Sequence, residues 1–98
     1  MSLRIVFRRA ARREFEDAAV WYNRRRAGLG AMFRSAVDQA LVAASEAPNR
    51  FPQMNPHVRR VIVRKFPYSI FYVTEFERLV ILAVFHSRRD PQVWRSRT

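Results

Sequence analysis

The chain has 98 residues, 49% hydrophobic and 13% aromatic, which is enough for one core-forming domain over residues 1–98 and excludes a disordered segment. With no cysteine and only two histidines, His57 and His86, a disulfide framework and a cysteine-type zinc centre are excluded, and no metal or cofactor is expected. Nineteen basic residues against eight acidic ones give a net charge of +11, which calls for an acidic or polyanionic partner and salt-sensitive binding.

Residues 3–8 alternate, with Leu3, Ile5 and Phe7 opposite Arg4 and Arg8, the pattern of a half-buried strand. From residue 10 to about 26 the period lengthens to that of a helix, and Ala11, Phe15, Ala18, Ala19 and Tyr22 fall on one face. Glu14, Glu16 and Asp17 precede Arg24, Arg25 and Arg26 along it, the order the helix dipole favours, while no good cap residue marks its start. Trp21 and Tyr22 are expected to pack into the core and the hairpin. The only glycines, Gly28 and Gly30, predict a helix C-cap and a tight turn. A second helix over residues 31–47 carries Phe33, Ala36, Val37, Ala40, Leu41 and Ala44 as its apolar stripe, and Pro48 closes it. The small residues Ala36, Ala40 and Ala44 predict close approach to the first helix in an antiparallel hairpin.

Residues 48–57 hold Pro48, Pro52 and Pro56 and form a loop, with Phe51 expected to anchor it to the core. A strand over residues 58–65 follows, with Arg59, Val61 and Val63 on one side and Arg60, Ile62 and Arg64 on the other. Arginines flanking an isoleucine are odd for a core face and predict a partly open, basic sheet surface. Residues 69–75 make the next strand. Leu79 to Phe85 are then apolar at every position and rich in β-branched side chains, which predicts a central strand covered on both faces. His86, Ser87, Arg88, Arg89 and Asp90 leave its end as a polar cluster. Asp90 and Pro91 predict a capped helical turn reaching Trp94. The order β-α-α-β-β-β, with three strands joined by short turns, predicts an α+β domain: a helical hairpin on one face of a mainly antiparallel four-stranded sheet.

Several segments of the chain resemble the RelE/ParE superfamily of toxins, also called plasmid-stabilisation proteins. They are Ala18-Ala19-Val20-Trp21-Tyr22, Pro48-Asn49-Arg50-Phe51-Pro52, Arg60-Val61-Ile62-Val63-Arg64-Lys65-Phe66-Pro67-Tyr68 and Val84-Phe85-His86-Ser87-Arg88-Arg89-Asp90-Pro91-Gln92-Val93-Trp94. The resemblance implies the toxin half of a type II toxin–antitoxin pair, neutralised by a small antitoxin whose C-terminal segment wraps the toxin. Such a partner would be acidic, and the complex hetero-oligomeric, with a toxin dimer as a further option. Two branches imply two activities. The ParE-like branch poisons DNA gyrase; the RelE-like branch cleaves mRNA on the ribosome with basic side chains and, in some members, a His-Tyr pair. Ser87 beside His86 and a single lysine make this chain look ParE-like and not itself an enzyme. A third reading is a binding-only toxin acting within its complex, which exposed base-stacking aromatics beside the arginines would favour.

On the endonuclease reading the catalytic candidates are His86, Arg60, Arg64 and Arg88, a titratable group with cations to hold phosphate oxygens. On any reading the expected target or antitoxin contacts are Arg59, Arg60, Arg64, Arg88, Arg89 and Trp94. The bland alternatives are a strand-end role for His86, an Arg88–Arg89–Asp90 ion-pair network holding the C-terminal turn, and Trp94 as a lid over the sheet. No apolar run reaches the roughly 20 residues of a membrane span and the N-terminus lacks a signal-peptide core, so no membrane is expected and the cytoplasm is the expected location.

Overall fold

The predicted element order is the one found in the computed structural model, which describes residues 2–98. Strand β1 (Arg4–Phe7) leads into helix α1 (Arg9–Arg25), helix α2 (Leu29–Glu46) and a single 3-10 turn (Pro48–Arg50). Strands β2 (Arg59–Ile62), β3 (Tyr68–Glu75) and β4 (Arg78–His86) follow, and a short helix α3 (Gln92–Arg95) ends the chain. The four strands form one sheet in the order β1-β4-β3-β2. Strands β2, β3 and β4 are the antiparallel meander that their short turns require, whereas β1 pairs parallel to β4, Ile5 opposite Leu79 and Phe7 opposite Ile81. Among the described residues, no helix is long and apolar enough to cross a membrane.

The apolar run of β4 is buried at every position from Leu79 to Phe85 because both faces of the sheet are covered. On one face the hairpin lays Ala11, Phe15, Ala18 and Ala19 of α1 and Phe33, Val37, Ala40, Leu41 and Ala44 of α2 against Val61, Ile70, Tyr72, Leu79, Ile81 and Val84. Phe33 is its hub, with the rings of Tyr22, Phe66 and Tyr68 centred 5.2, 5.2 and 5.1 Å away. Burying each such side chain contributes about 1.5–3 kcal/mol. On the other face a smaller cluster joins Val58, Phe71, Val80, Leu82, Ala83 and Phe85 to Trp94. Trp94 is 2% exposed and stacks on Phe71 at 4.3 Å between centroids, so α3 is a lid on this face.

A bulge fits β4 between these layers. Phe71 faces Ala83 and Tyr72 faces Ile81, which leaves Leu82 as the extra residue, and both Leu82 and Ala83 turn to the lidded face. β1 stops at Phe7, so the outer edge of β4 beyond Ile81 needs other partners. Glu14 accepts the Val84 N–H at 3.1 Å, and Arg97 donates to the Leu82 carbonyl at 3.1 Å. Arg97 also grips Glu14 through both terminal nitrogens, at 2.9 and 3.0 Å. These two side chains continue the sheet where the backbone of β1 has ended.

Two expectations about the hairpin are corrected. Gly30 does not belong to the turn: it lies in the first turn of α2, where a Cβ would stand 2.6 Å from the Ala19 carbonyl oxygen. The glycine is needed for helix contact, and Gly28, at φ +91°, alone supplies the left-handed turn. Trp21 is not core. It is 51% exposed, while its neighbour Tyr22 turns inward.

Candidate functional site

Strand β2 is one edge of the sheet. Its inner neighbour β3 takes one set of backbone groups, and the alternate set points outward. The Arg60 N–H faces that way and donates to the Pro52 carbonyl at 3.0 Å, so residues 51–53 cover the upper part of the edge. Phe51 packs on the core and holds that segment in place. Lower down, at Ile62, the segment has diverged and a groove of about 370 Å³ opens toward α2. Its walls are Ala36, Gln39, Ala40 and Ala43 on the helix and Phe51, Val61, Ile62 and Arg64 on the sheet side. The alanines expected to seat α2 on α1 are therefore shared: Ala40 and Ala44 are buried, and the Ala36–Ala40–Ala43 side faces this groove. Ile62 is 60% exposed, unusual for an isoleucine in a strand. The groove continues past Arg64 and Lys65 to Met32, which is also half-exposed.

The expected site residues fall into separate places. Arg59 turns its guanidinium to the Phe51 carbonyl at 2.7 Å and braces the loop. It sits near Tyr72, whose hydroxyl donates to the Pro48 carbonyl at 2.7 Å. Burial pushes the Tyr72 phenol up to about 12, an effect Arg59 opposes. Arg60 stands opposite Phe71 on the lidded face, half-buried, with its Nε unpartnered among the described residues. Arg64 is exposed beside the α2 groove. The basic open face expected on β2 is thus reduced to its edge, since α3 and the loop before β2 cover the rest.

At the far end of β4, His86 pairs with Tyr68 across the ladder and lies on the hairpin face, its ring edge-on to that tyrosine at 5.2 Å. Its Nδ1 accepts the Arg88 N–H at 3.0 Å, which puts the ring proton of the neutral form on Nε2. This is the strand-end role: the imidazole ties down the turn that follows. Tyr68 is a neighbour that chain order hid, because it comes from β3 and not from position 87. Burial first, then the Tyr22 hydroxyl, raises the Tyr68 phenol above its ordinary range, which makes it a weaker acid. Arg88 is exposed and engages His86 only through its backbone. The alternative of an Arg88–Arg89–Asp90 network does not form: Arg89 crosses to Glu14 at 2.5 Å and lies over Phe85 at 4.6 Å. Asp90 instead accepts the Gln92 N–H at 3.0 Å from one residue outside the cap position, since Pro91 and not the expected Asp90 is the N-cap of α3.

Of the four catalytic candidates, Arg88 adjoins His86 through its backbone, while Arg60 is set apart from both. His86 lies with Tyr68 on the hairpin face, Arg60 lies with Phe71 on the other, and β3 separates β2 from β4. Trp94 is buried, so its ring offers no contact surface. Glu14 is the residue the sequence reading undervalued. A helix-dipole role explained it fully there, and nothing local revealed that Arg89 and Arg97, more than 70 positions away, converge on it.

The family described as "ParE toxin of type II toxin-antitoxin system, parDE" matches residues 5–91. Two curated relatives, each a "Toxin ParE2" of Mycobacterium tuberculosis (strains CDC 1551 / Oshkosh and ATCC 25618 / H37Rv), are 33% identical over 60 residues, 61% of this chain. The match spans 57% of the relatives' own length. A solved structure, "Chromosomal ParDE TA system from P. aeruginosa", superposes with a TM-score of 0.74 over 87% of this chain and 96% of its own, at 13% identity, and shares the fold.

Proposed function

The chain belongs to the ParE toxin family of type II toxin–antitoxin systems, and from that premise we propose that it arrests growth by binding and poisoning DNA gyrase. The observation that carries this reading is the separation of His86 from Arg60 on opposite faces of the sheet. Cleaving RNA through its own 2′-hydroxyl needs a base, an acid and cations around one phosphate. A histidine whose Nδ1 is occupied by backbone, beside a tyrosine made less acidic by burial, does not meet that need. A toxin without such a centre acts by occupying its target.

Neutralisation follows from the β2 edge. An extended acidic segment of the antitoxin would add to the outward backbone groups near Ile62, set apolar side chains against Ala36, Ala40 and Phe51, and place carboxylates near Arg64 and Lys65. The net charge of +11 favours such a partner and makes the complex salt-sensitive.

Controlled induction of the toxin without its antitoxin tests the target, with DNA damage response and mRNA integrity scored in the same cells. Damage signalling with intact mRNA is the expected outcome. Cleavage of translated mRNA without DNA breaks would assign the endonuclease activity instead, and neither signal would leave a role confined to the toxin–antitoxin complex.

A further inference from the structure

The end of the first helix of the hairpin carries an aromatic side chain and three arginines, Trp21 and Arg24 to Arg26, that do not line the antitoxin groove. From residue 18 to residue 37 the chain has Arg24, Arg25, Arg26 and Arg34 and no acidic residue. Arg34 is paired with Glu16 at 2.6 Å. Arg24, Arg25 and Arg26 are exposed and form no ion pair among the described residues. Trp21 stands one helical turn before them, 51% exposed, with the Arg25 guanidinium 4.5 Å from its ring centroid and the ring of Tyr22 edge-on at 5.1 Å. Tyr22 in turn packs on Phe66 at 4.9 Å, which seats the β2–β3 turn against the hairpin. That turn brings Arg64 and Lys65 to the same end, across a groove of about 410 Å³ from Leu29 and Met32.

We propose that this hairpin end is a binding surface for single-stranded nucleic acid. An exposed indole bracketed by arginines matches how such strands are held: phosphates by guanidinium groups, often bidentately, and a base on an aromatic face. Three exposed arginines without ion pairs, one of them over a half-exposed indole, suit a phosphate-sugar chain with free bases better than they suit a lipid surface. Membrane-surface helices bury a continuous apolar stripe. Here both helices spend their stripes on the core, and Val20, Trp21 and Met32 remain as separate exposed side chains. An acidic peptide would use the charge but would leave the indole without a role. This inference does not depend on gyrase being the target, because it concerns a surface the toxin carries whatever it poisons.

Fluorescence titration of the full chain with oligo-dT and oligo-U of about 15 nucleotides, near the upper end of single-strand site sizes, tests it directly. The two tryptophans report separately, since Trp94 is buried and Trp21 is not. Quenching assigned to Trp21 by its loss in Trp21→Phe is expected with either oligonucleotide. Trp21→Ala should weaken binding about tenfold to a hundredfold, the worth of one base–aromatic stack. Replacing Arg24, Arg25 and Arg26 by Ala should flatten the dependence of log affinity on log salt by about 2, at about 0.7 per phosphate contact. All these positions are exposed, so an unchanged melting temperature confirms that the variants fold. Polyglutamate and anionic vesicles at equal charge are the competing ligands. Binding of either as tight as the oligonucleotides, or oligonucleotide binding untouched by both sets of substitutions, would overturn the proposal.

Discussion

Strands β4 and β2 lie in one sheet with only β3 between them, yet they treat the same residue type in opposite ways. Ile81 in β4 is fully buried between the hairpin and the C-terminal lid; Ile62 in β2 is 60% exposed. The difference lies in what covers each strand. β4 has β1 and β3 as neighbours and a layer on both faces, so every side chain serves stability. β2 has an edge covered only in its upper part, and Ile62 stands exposed there between Arg60 and Arg64, where the proposed antitoxin strand would add.

The comparison breaks most visibly at the lid. Trp94→Ala removes the ring stacked on Phe71 and should cost about 3–5 kcal/mol in denaturant unfolding. A loss under about 1 kcal/mol would mean that this face of β4 is not closed by α3. Ile81→Ala should cost about 2–5 kcal/mol by the same measurement, with no change in the slope against denaturant. Between the two strands, Tyr72 gives a pH test. Its phenol is raised from 10.0 to about 12 by burial, so the folded state holds that proton more firmly than the unfolded chain does. Stability should be unaffected by this group below about pH 10 and should be lost as pH rises from about 10 to about 12. Tyr72→Phe should lessen the alkaline loss, leaving the smaller share of Tyr22 and Tyr68, and an unchanged alkaline slope in the variant would contradict the assignment. The smallest stability effect belongs to Ile62→Ala, within about 0.5 kcal/mol as for an ordinary surface site. Its effect should appear instead in antitoxin affinity, weakened about tenfold if Ile62 is an anchor of the groove. Stability and affinity falling together would erase the distinction between the strands.

Much of the fold was legible from local pattern. The period of 3.6 in both helices, the alternation in β1 and the unbroken apolar run in β4 report burial that each element imposes on its own sequence. What periodicity could not report is which elements meet. The parallel pairing of β1 with β4, the bulge at Leu82 and the hold of Glu14 on Arg89 and Arg97 are long-range facts with no local signature. Gly30 looked like a turn residue because a glycine admitted for close helix contact reads the same as one admitted for its φ. Trp21 and Tyr22 show the limit for side chains: adjacent aromatics on one helix, of which only one can face the core. The candidate site was legible as a residue set but not as a geometry. His86, Arg60, Arg64 and Arg88 are suitable chemistry in sequence, and the alternation of side chains across the sheet is what puts His86 and Arg60 on opposite faces.

That division is the centre of the account, and a single growth measurement tests it. His86→Ala induced beside the wild-type toxin, at matched protein levels and without antitoxin, should arrest growth as strongly as the wild type under the proposed gyrase-binding function, in which His86 ties a turn. Growth restored by His86→Ala, with the protein still folded and still bound by its antitoxin, would contradict the account and put catalysis at the end of β4.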